Sequence, residues 1–324
     1  MNAIAVLTSG GDAPGMNAAI RAVTRQGISQ GVKVYGVQKG FAGLMAGDFT
    51  ELTSRSVGGI LQLGGTILGS ARSLEFKTVE GRQKALQTLQ QAGIGGLVII
   101  GGNGSQTGAH ALHEMGFPVM GIASTIDNDL VGSDITLGVD TALNVALESI
   151  DRLKVTAASH RRAFIVEVMG RDCGYLALMA AIASGAEAVA IPEVDIEPET
   201  IARTLHEGYE RGKLNGIVVV SEGAKYDAEA MQAWFNAHAD WASGFEMRTI
   251  TLGHVQRGGA PLASDRIMGS RLGAEAARLL IAGESGKVVG IINGRISLTP
   301  HAQVAGVTKA PDLELLKLAK SLSL

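Results

Sequence analysis

Short runs of apolar residues, rich in β-branched side chains, recur along the chain between longer segments with helical spacing. The runs predict strands at Ile4–Leu7, Leu97–Ile100, Val119–Ile122, Phe164–Val168, Ala188–Ile191, Ile217–Val220, Thr249–Leu252 and Val288–Ile292. Because they are predominantly apolar, they match strands that are covered on both faces, as in parallel sheets. The segments between them predict helices at Met16–Gln30, Val79–Ala92, Thr141–Lys154, Pro198–Arg211 and Ser270–Ala282. This alternation indicates a layered α/β fold with right-handed crossovers.

The segment Asp312–Leu322 predicts an amphipathic helix that packs through Leu315, Leu318 and Leu322, which share one face. The 324 residues correspond to about two domains at ~150 residues each. No low-complexity linker or tight repeat marks a boundary between them. A chain that crosses between the domains more than once is therefore compatible with the sequence.

Composition narrows the class of protein. Apolar residues make up 46% of the chain and its net charge is −3, which excludes a disordered protein and gives no basic excess for binding nucleic acid. No apolar run approaches the ~18 residues of a membrane-spanning helix. The single cysteine, Cys173, cannot form an internal disulfide, and residues 1–9 match a first strand better than a signal peptide. We therefore expect a cytoplasmic protein that binds neither membrane nor nucleic acid.

Glycine is the compositional anomaly, because it supplies 44 of the 324 residues, roughly twice the usual ~7%. Two Gly-rich turns each follow a predicted strand and precede a helix, one at Ser9–Gly15 and one at Gly101–Ser105, with Gly108 one turn further on. Such junctions let a phosphate reach backbone N–H groups at the positive end of a helix. Neither turn matches the two commonest phosphate-loop patterns, so tight structural turns and a dinucleotide-binding oxidoreductase both remain open at this point.

Two carboxylates, Asp127 and Asp129, follow the strand Val119–Ile122 in the segment STIDND of residues 124–129. Ligands of open α/β sheets bind at the carboxyl ends of strands, where one aspartate can accept a proton from a hydroxyl and another can help to hold Mg²⁺. A structural turn rich in Asp and Asn is the alternative. Phosphoryl transfer to an alcohol needs such a pair, whereas hydride transfer does not.

Several arginines lie next to predicted strands, and a histidine lies in the Gly-rich turn beside the last of them: Arg72, Arg162, Arg171, Arg248, Arg257 and His254. Guanidinium groups form paired hydrogen bonds with phosphate oxygens and stay charged at any relevant pH. Taken singly, each arginine is better explained by a surface ion pair. His254 has no explanation as simple.

Seven motifs, in order along the chain, resemble those of the 6-phosphofructokinase family in its bacterial, ATP-dependent form. They are TSGGDAPGMNAAIR (8–21), GGTILGSAR (64–72), GGNGS (101–105), TIDND (125–129), AASHRR (157–162), VEVMGR (166–171) and LGHVQRGG (252–259). The resemblance implies two Rossmann-like domains with mostly parallel sheets and an active site in the interdomain cleft. The larger, nucleotide-binding domain would hold residues 1–138 and 256–305, and the smaller, sugar-phosphate domain residues 139–255 and 306–324.

The resemblance implies transfer of a phosphoryl group from ATP to the 1-hydroxyl of fructose 6-phosphate, a step of glycolysis. Asp127 would be the base, Thr125 and Arg171 would stabilise the transferring group, and Asp129 would support Mg²⁺. The ATP site would comprise Gly11, Arg72, Ser73, Gly102, Asn103, Gly104, Ser105 and Gly108. The sugar-phosphate site would comprise Thr125, Asp127, Arg162, Met169, Gly170, Arg171, Glu222, Arg248, His254 and Arg257. Family members are typically homotetramers in which Arg162 and Arg248 serve a neighbouring subunit.

Two departures from the family pattern bear on the metal and on the phosphoryl donor. Asn103 stands where the family has an aspartate associated with Mg²⁺, and an amide oxygen is a ligand without charge. Pyrophosphate-dependent relatives carry Asp at the position of Gly104 and Lys at that of Ser124, so ATP is favoured as the donor. Asn103 leaves open a working ATP kinase, a kinase with an altered donor or metal preference, and a weakly active paralogue.

The resemblance also implies an allosteric site for ADP or phosphoenolpyruvate. Its residues would be Arg21, Arg25, Lys154, Gly185, Glu187, Arg211 and Lys213. Lys154 replaces an arginine and keeps the charge without the fork, while Ser54 and Gly59 replace charged residues. We therefore predict an effector site whose response is weakened or altered.

Two other functions remain as alternatives: a kinase with another donor or sugar-phosphate acceptor, and a non-catalytic paralogue that senses sugar phosphates or nucleotides. The presence of Asp127, Asp129 and Arg171 counts against the sensor, because a sensor needs no base. The oxidoreductase loses support, because neither Gly-rich turn carries its pattern and residues 125–129 would be unexplained.

Overall fold

The computed structural model of the protein describes residues 1–242 and 246–323. The chain divides into two compact units: Met1–Thr141 with Arg257–Lys309, and Ala142–Gln256 with Ala310–Leu324. Each unit contains one sheet whose strands are mostly parallel, with helices connecting the strands. The layered α/β fold expected from the sequence is confirmed. Within the described part of the chain, every helix is too short or too polar to cross a membrane.

The described residues form the following elements. The strands are β1 (Ala3–Thr8), β2 (Lys33–Val37), β3 (Phe49–Leu52), β4 (Leu97–Gly101), β5 (Val119–Ala123), β6 (Arg162–Val168), β7 (Ala188–Ala190), β8 (Gly216–Ser221), β9 (Glu246–Thr251), β10 (Lys287–Ile292) and β11 (Arg295–Pro300). The helices are α1 (Met16–Ser29), α2 (Gly40–Ala46), α3 (Val79–Gln91), α4 (Asn103–Glu114), α5 (Val139–His160), α6 (Tyr175–Ser184), α7 (Pro198–Glu210), α8 (Ala228–Ala237), α9 (Ala263–Ile281), α10 (His301–Val304) and α11 (Glu314–Leu322).

The centre of the first unit is formed by β1, β4 and β5. The order of the seven strands is β11-β10-β5-β4-β1-β2-β3, and only β3 and β11 run antiparallel to their neighbours. Every residue of the three central strands is buried, as expected of strands covered on both faces. Their side chains share one apolar core with Phe41, Leu44, Leu89 and Leu112 of the surrounding helices. The carboxyl ends of these rigid strands carry the turns that the sequence singles out.

The second unit is centred on β6 and β8. Its four strands are all parallel, in the order β7-β8-β6-β9. The apolar residues of the central strands pack with Ile201 and Leu205 of α7 and with Met231 and Phe235 of α8. At the edge lies β9, four of whose six residues are exposed.

The predicted strands are all present, with ends that differ by at most three residues, but β2, β3 and β11 are additional. Exposed and half-exposed residues predominate in β3 and β11, because both are antiparallel edge strands. They therefore lack the apolar runs of the central strands. β2 is only five residues long and contains Lys33 and Gly36.

Two helices start earlier than the sequence pattern predicts: α9 at Ala263 instead of residue 270, and α5 at Val139 instead of residue 141. The first turns of the two helices bind each other. The buried carboxylate of Asp265 accepts hydrogen bonds from the backbone N–H groups of Gly138, at 2.8 Å, and of Thr141, at 2.9 Å. This tertiary contact extends both helices beyond their apolar pattern.

Helix α11 is present, but its packing face differs from the predicted one. Leu318 is 42% exposed and Leu322 is 59% exposed. The half-buried positions are instead Leu315, Leu316 and Ala319. Tertiary packing rather than the leucine spacing therefore selects the face that is half-buried.

Candidate active site

Three turns lie at one edge of the first unit's sheet, after β1, β4 and β5. The three strands are adjacent and parallel, so their carboxyl ends meet at that edge. The turns begin side by side: the N–H of Ser9 donates to the carbonyl of Ile100, at 3.0 Å, and the N–H of Ser124 to that of Gly101, at 3.3 Å. The fold thus brings together segments that are more than 100 residues apart in the sequence.

The motif at residues 64–72 is bound to the turn after β1. Thr8 Oγ1 lies 2.9 Å from Thr66 Oγ1 and donates to the carbonyl of Gly69, also at 2.9 Å. Ser70 Oγ donates to the carbonyl of Gly10 at 2.6 Å. Gly10 has a φ of 84°, which side chains with a Cβ rarely adopt. The first two motifs, residues 8–21 and 64–72, are therefore hydrogen-bonded together at this sheet edge.

One further side chain, to which the sequence assigned no role, also joins these two motifs. Asn17 is buried, donates to the carbonyls of Leu63 and Gly64, at 3.1 and 3.2 Å, and accepts the N–H of Ile67 at 2.8 Å. An asparagine at the start of a helix after a Gly-rich turn indicates such a role, but its partners lie about fifty residues away and need the fold.

Arg257 lies beside the turn after β1. Its Nη1 donates to the carbonyl of Asp12 at 3.0 Å. A Cβ at Gly11 would lie 2.2 Å from the same nitrogen, so the missing side chain of Gly11 makes room for the guanidinium. An arginine that the sequence assigns to the sugar phosphate therefore contacts a turn assigned to ATP.

Helix α4 begins at Asn103, directly after the turn that follows β4. Its N-cap, Gly102, has no side chain to satisfy the first N–H groups, so the positive end of the helix is available to an anion. Asn103 Nδ2 donates to Asp129 Oδ2 at 2.8 Å and to the Asp129 carbonyl at 3.2 Å. Asn103 Oδ1 is buried and has no hydrogen-bond partner among the described residues. The space at Gly104 is open, with no atom within 4 Å of where a Cβ would lie.

The turn after β5 is braced around Asn128, which has a φ of 53°. Asn128 Nδ2 donates to the carbonyl of Asp134 at 3.1 Å, and its Oδ1 accepts the N–H of Thr136 at 3.0 Å. Thr136 Oγ1 donates to the carbonyl of Thr125 at 2.6 Å. Asp127 and Asp129 flank this residue and are half-buried. The turn therefore holds two carboxylates in place at the sheet edge.

Three further residues assigned to ATP lie along the same unit. Arg72 is exposed, and Ser73 Oγ accepts the N–H of Phe76 at 3.2 Å. A Cβ at Gly108 would lie 2.7 Å from the ring of Phe41. The rings of Phe41 and Phe76 stack at 3.9 Å, so their packing against α4 explains the glycine at 108.

In the second unit, a turn follows β6 and contains Met169, Gly170 and Arg171. Glu222 Oε1 accepts the N–H of Arg171 at 2.9 Å and that of Gly170 at 3.4 Å. Gln256 Oε1 accepts the N–H of Met169 at 2.8 Å. The exposed Arg171 has a φ of 48°. Four residues assigned to the sugar phosphate thus form one cluster, with Gln256 as an unassigned support.

Two of the remaining arginines pair with one carboxylate. Arg162 Nε donates to Glu246 Oε2 at 2.7 Å, and Arg248 donates to Glu246 Oε1. The hydrogen bond from Arg162, with the charge of both arginines, lowers the pKa of Glu246. His254 is exposed in a short helical turn at Gly253–Gln256.

Five of the assigned effector residues lie in the second unit, around the ends of α6 and α7. Lys213 Nζ donates to Glu187 Oε1 at 3.2 Å and to the carbonyl of Ser323 at 3.0 Å. Lys154 donates to the carbonyl of Ser184, next to Gly185, which ends α6 with a φ of 62°. Arg211 ends α7. The other two, Arg21 and Arg25, lie one turn apart on α1 of the first unit.

A family model described as Phosphofructokinase matches residues 3–280. The chain belongs to the phosphofructokinase family. An ATP-dependent 6-phosphofructokinase of Natranaerobius thermophilus is 48% identical over 324 residues, which is all of both chains. ATP-dependent 6-phosphofructokinase 1 of Thermus thermophilus is 50% identical over 326 residues, again across the whole of both.

Solved structures of phosphofructokinases share the fold. A Pichia pastoris phosphofructokinase in the T-state has a TM-score of 0.87 and 38% identity over 94% of this chain, which spans 35% of that longer one. A pyrophosphate-dependent phosphofructokinase of Marinobacter aquaeolei has a TM-score of 0.86 at 20% identity, covering 98% of this chain and 91% of that one. Likeness at that identity concerns the fold alone, and the choice of donor depends on the residues of the site.

Proposed function

We propose that this chain is an ATP-dependent 6-phosphofructokinase, which transfers the terminal phosphoryl group of ATP to the 1-hydroxyl of fructose 6-phosphate. The names of its full-length relatives support this function. The observation that carries the proposal is the meeting of the α4 N-terminus with Asp127 and Asp129 at one sheet edge. The products are fructose 1,6-bisphosphate and ADP, in glycolysis.

The chemistry requires positioning and neutralisation of charge more than covalent catalysis. Asp127 accepts the proton of the attacking hydroxyl, and the braced turn around Asn128 keeps its carboxylate in place. Thr125 and Arg171 stabilise the transferring group. The free N–H groups at the start of α4 bind donor phosphate oxygens, which the absence of a side chain at Gly102 permits.

The remaining assignments divide between donor and acceptor. Gly11, Arg72, Ser73, Gly104, Ser105 and Gly108 belong to the ATP site. Arg162, Met169, Gly170, Glu222, Arg248, His254 and Arg257 belong to the sugar-phosphate site. The cluster held by Glu222 and Gln256 supports the acceptor assignment, because it orders the backbone of the turn that carries Arg171.

The family implies Mg²⁺, and the residues here fit it in part. Among the described residues, no group of three or more His, Cys, Asp or Glu side chains forms a metal cage. Mg²⁺ on a nucleotide is usually held by one or two carboxylates plus the phosphates, so Asp129 and the unpartnered Asn103 Oδ1 are a fitting pair. When bound, the ion supplies positive charge that neutralises the phosphates. Asn103 meanwhile donates its amide to Asp129 and orients that carboxylate.

We also propose an anion-binding effector site, for ADP or phosphoenolpyruvate, at the ends of α6 and α7. Lys154, Gly185, Glu187, Arg211 and Lys213 belong to it, with Arg21 and Arg25 on α1. Lys213 already binds Glu187 and a carbonyl, so an effector has to compete for this charge. A homotetramer in the cytoplasm completes the proposal.

The test is a coupled assay for fructose 1,6-bisphosphate with ATP or with pyrophosphate as donor. Asp127→Asn should lower kcat by about 10²–10⁴-fold, the usual loss for a general base. Asp151→Asn, which removes an exposed carboxylate of α5, is the matched control and should retain the parent rate. A parent that does not use ATP, or an Asp127→Asn variant as fast as the control, would contradict the function.

A further inference from the structure

A buried amide lies directly behind the candidate active site. Gln106 is fully buried on α4, one turn after Asn103. Its Nε2 donates to the carbonyl of Gly101 at 2.9 Å and to that of Ile122 at 3.1 Å. Gly101 ends β4 and Ile122 lies one residue before the end of β5, so one side chain joins the two strand ends that lead into the active-site turns.

A buried imidazole completes the hydrogen bonding of this amide. His301 is fully buried at the start of α10, and its Nε2 lies 3.3 Å from Gln106 Oε1. Burial, with the nearby His113 and His110, lowers the pKa of His301 to about 4. The ring is therefore neutral at physiological pH, and with its proton on Nε2 it donates to Gln106. Its Nδ1 has no partner among the described residues.

Strand β5 has a glycine, Gly121, at the point where Gln106 and His301 approach it. A Cβ at Gly121, in the middle of β5, would lie 2.0 Å from Gln106 Oε1 and 2.8 Å from His301 Nε2. Glycine weakens the interior of a strand, and it is found there where another group approaches closely. The space at Gly121 is thus matched to the amide and the imidazole.

We infer that Gln106 and His301 together are positioning residues for phosphoryl transfer. The inference rests on the proposed function, because it needs the turns at residues 102–105 and 124–129 to bind donor and acceptor. Gln106 fixes the carbonyls just before both turns, and His301 fixes the orientation of Gln106. Loss of either leaves buried polar groups unpaired and lets the N-terminus of α4 shift against Asp127, and displacements of about 1 Å can cost 10²-fold in rate.

The experiment compares Gln106→Met, His301→Leu and His301→Gln with the parent in steady-state kinetics and thermal unfolding. Gln106→Met keeps the length but removes both donors, and should lower kcat and raise the KM for ATP by about tenfold, the equivalent of one hydrogen bond. His301→Leu should show the same change in KM and kcat. His301→Gln keeps an amide that can donate to Gln106, so it should restore most of the parent kinetics.

The control separates positioning from stability. Thr88 Oγ1 joins α3 to the carbonyl of Leu44 in α2, at 2.6 Å, away from the three turns. Thr88→Val should lower the melting temperature without changing kcat or either KM. His301→Leu also removes the buried, unpartnered Nδ1. The loss of kcat and the rise in KM of this variant, expressed as free energies, should therefore exceed its loss of unfolding free energy.

Failure of this inference and failure of the proposed function give different results. A parent that does not turn over ATP, or an Arg72→Ala variant with an unchanged KM for ATP, contradicts the proposed function, and the positioning role falls with it. An active parent whose Gln106→Met and His301→Leu variants keep kcat and KM within about twofold overturns the positioning role alone. If Gln106→Met does not fold, the two His301 variants decide.

Discussion

Asn103 differs from the family's aspartate by one amide, and the structure gives that amide a partner. Its Nδ2 lies 2.8 Å from Asp129 Oδ2, where an aspartate would place two carboxylates in contact. The amide thus holds Asp129 without a metal ion. An aspartate would hold it only when a cation lies between the two carboxylates.

Asn103→Asp should make the protein more dependent on Mg²⁺. In EDTA, the like charges and the lost hydrogen bond should destabilise the fold by about 1–3 kcal/mol. Added Mg²⁺ should raise the melting temperature of the variant more than that of the parent, and saturate its rate at a lower metal concentration. Thermal unfolding and rates across a MgCl₂ titration measure both. If the melting temperature and rate of parent and variant respond equally to MgCl₂, residue 103 does not contact the ion.

Asp265 is a buried carboxylate outside the site, and it accepts hydrogen bonds from Gly138, from Thr141 N and, at 2.6 Å, from Thr141 Oγ1. An asparagine presents an N–H to one of these donors, so Asp265→Asn should cost about 2–3 kcal/mol of unfolding free energy. Urea denaturation measures the loss. Asp312→Asn, near α11, is an exposed control.

The direction of the pKa shift of Asp265 can be tested through the pH dependence of stability. Burial raises the pKa of Asp265 despite its hydrogen bonds, so the folded state binds this proton more tightly than the unfolded state does. Its stabilising contribution is full below the unfolded value of about 3.9 and is lost as the pH rises through the folded pKa. The stability difference between parent and Asp265→Asn should therefore grow as the pH is lowered from 7 towards 4.5. A difference that shrinks would mean that the hydrogen bonds outweigh burial.

At the scale of elements, the sequence predicts those whose apolar pattern matches their burial. β1, β4 and β5 are recognised because both faces are covered and every position is apolar or small. β3 and β11 are missed because edge strands need no such run. α9 starts early because Asp265 binds another helix, and that contact has no counterpart in local spacing.

Helix α11 provides a direct test of which face packs. Leu316 is half-buried, whereas Leu318 is 42% exposed. Leu316→Gln should cost about 1–2 kcal/mol, as expected for loss of a partly buried leucine, and Leu318→Gln less than about 0.5 kcal/mol. Urea denaturation of the two variants compares the same substitution two positions apart. The leucine spacing alone predicts that Leu318→Gln costs more than Leu316→Gln. That result would show that the helix packs through Leu315, Leu318 and Leu322.

Across the whole molecule, the sequence supplies the turns of the candidate site but not the contacts between them. The turn Gly101–Ser105 and the carboxylates of residues 125–129 can be predicted from the local sequence. Gly-rich turns after strands are typical of phosphate sites, and acidic residues there are typical of bases and metal ligands. The contacts of Arg257 with Gly11 and of Gln106 with Ile122 join residues far apart in the chain. Such partners depend on the order of strands in the sheet, which local patterns do not contain.

Assembly can be tested with two inactive variants that complement each other. If Arg162 and Arg248 serve a neighbouring subunit, a chain with Asp127→Asn still lends its arginines, and a chain with both arginines changed to alanine still has its base. Each variant alone should be nearly inactive.

The two variants are co-expressed with different tags and purified as hybrids. The hybrids should recover about a quarter of the parent activity, since one site in four then has both the base and the two arginines. Within one chain, both arginines pair with Glu246. Hybrids that stay inactive while light scattering shows four chains would mean that each site draws its arginines from its own subunit.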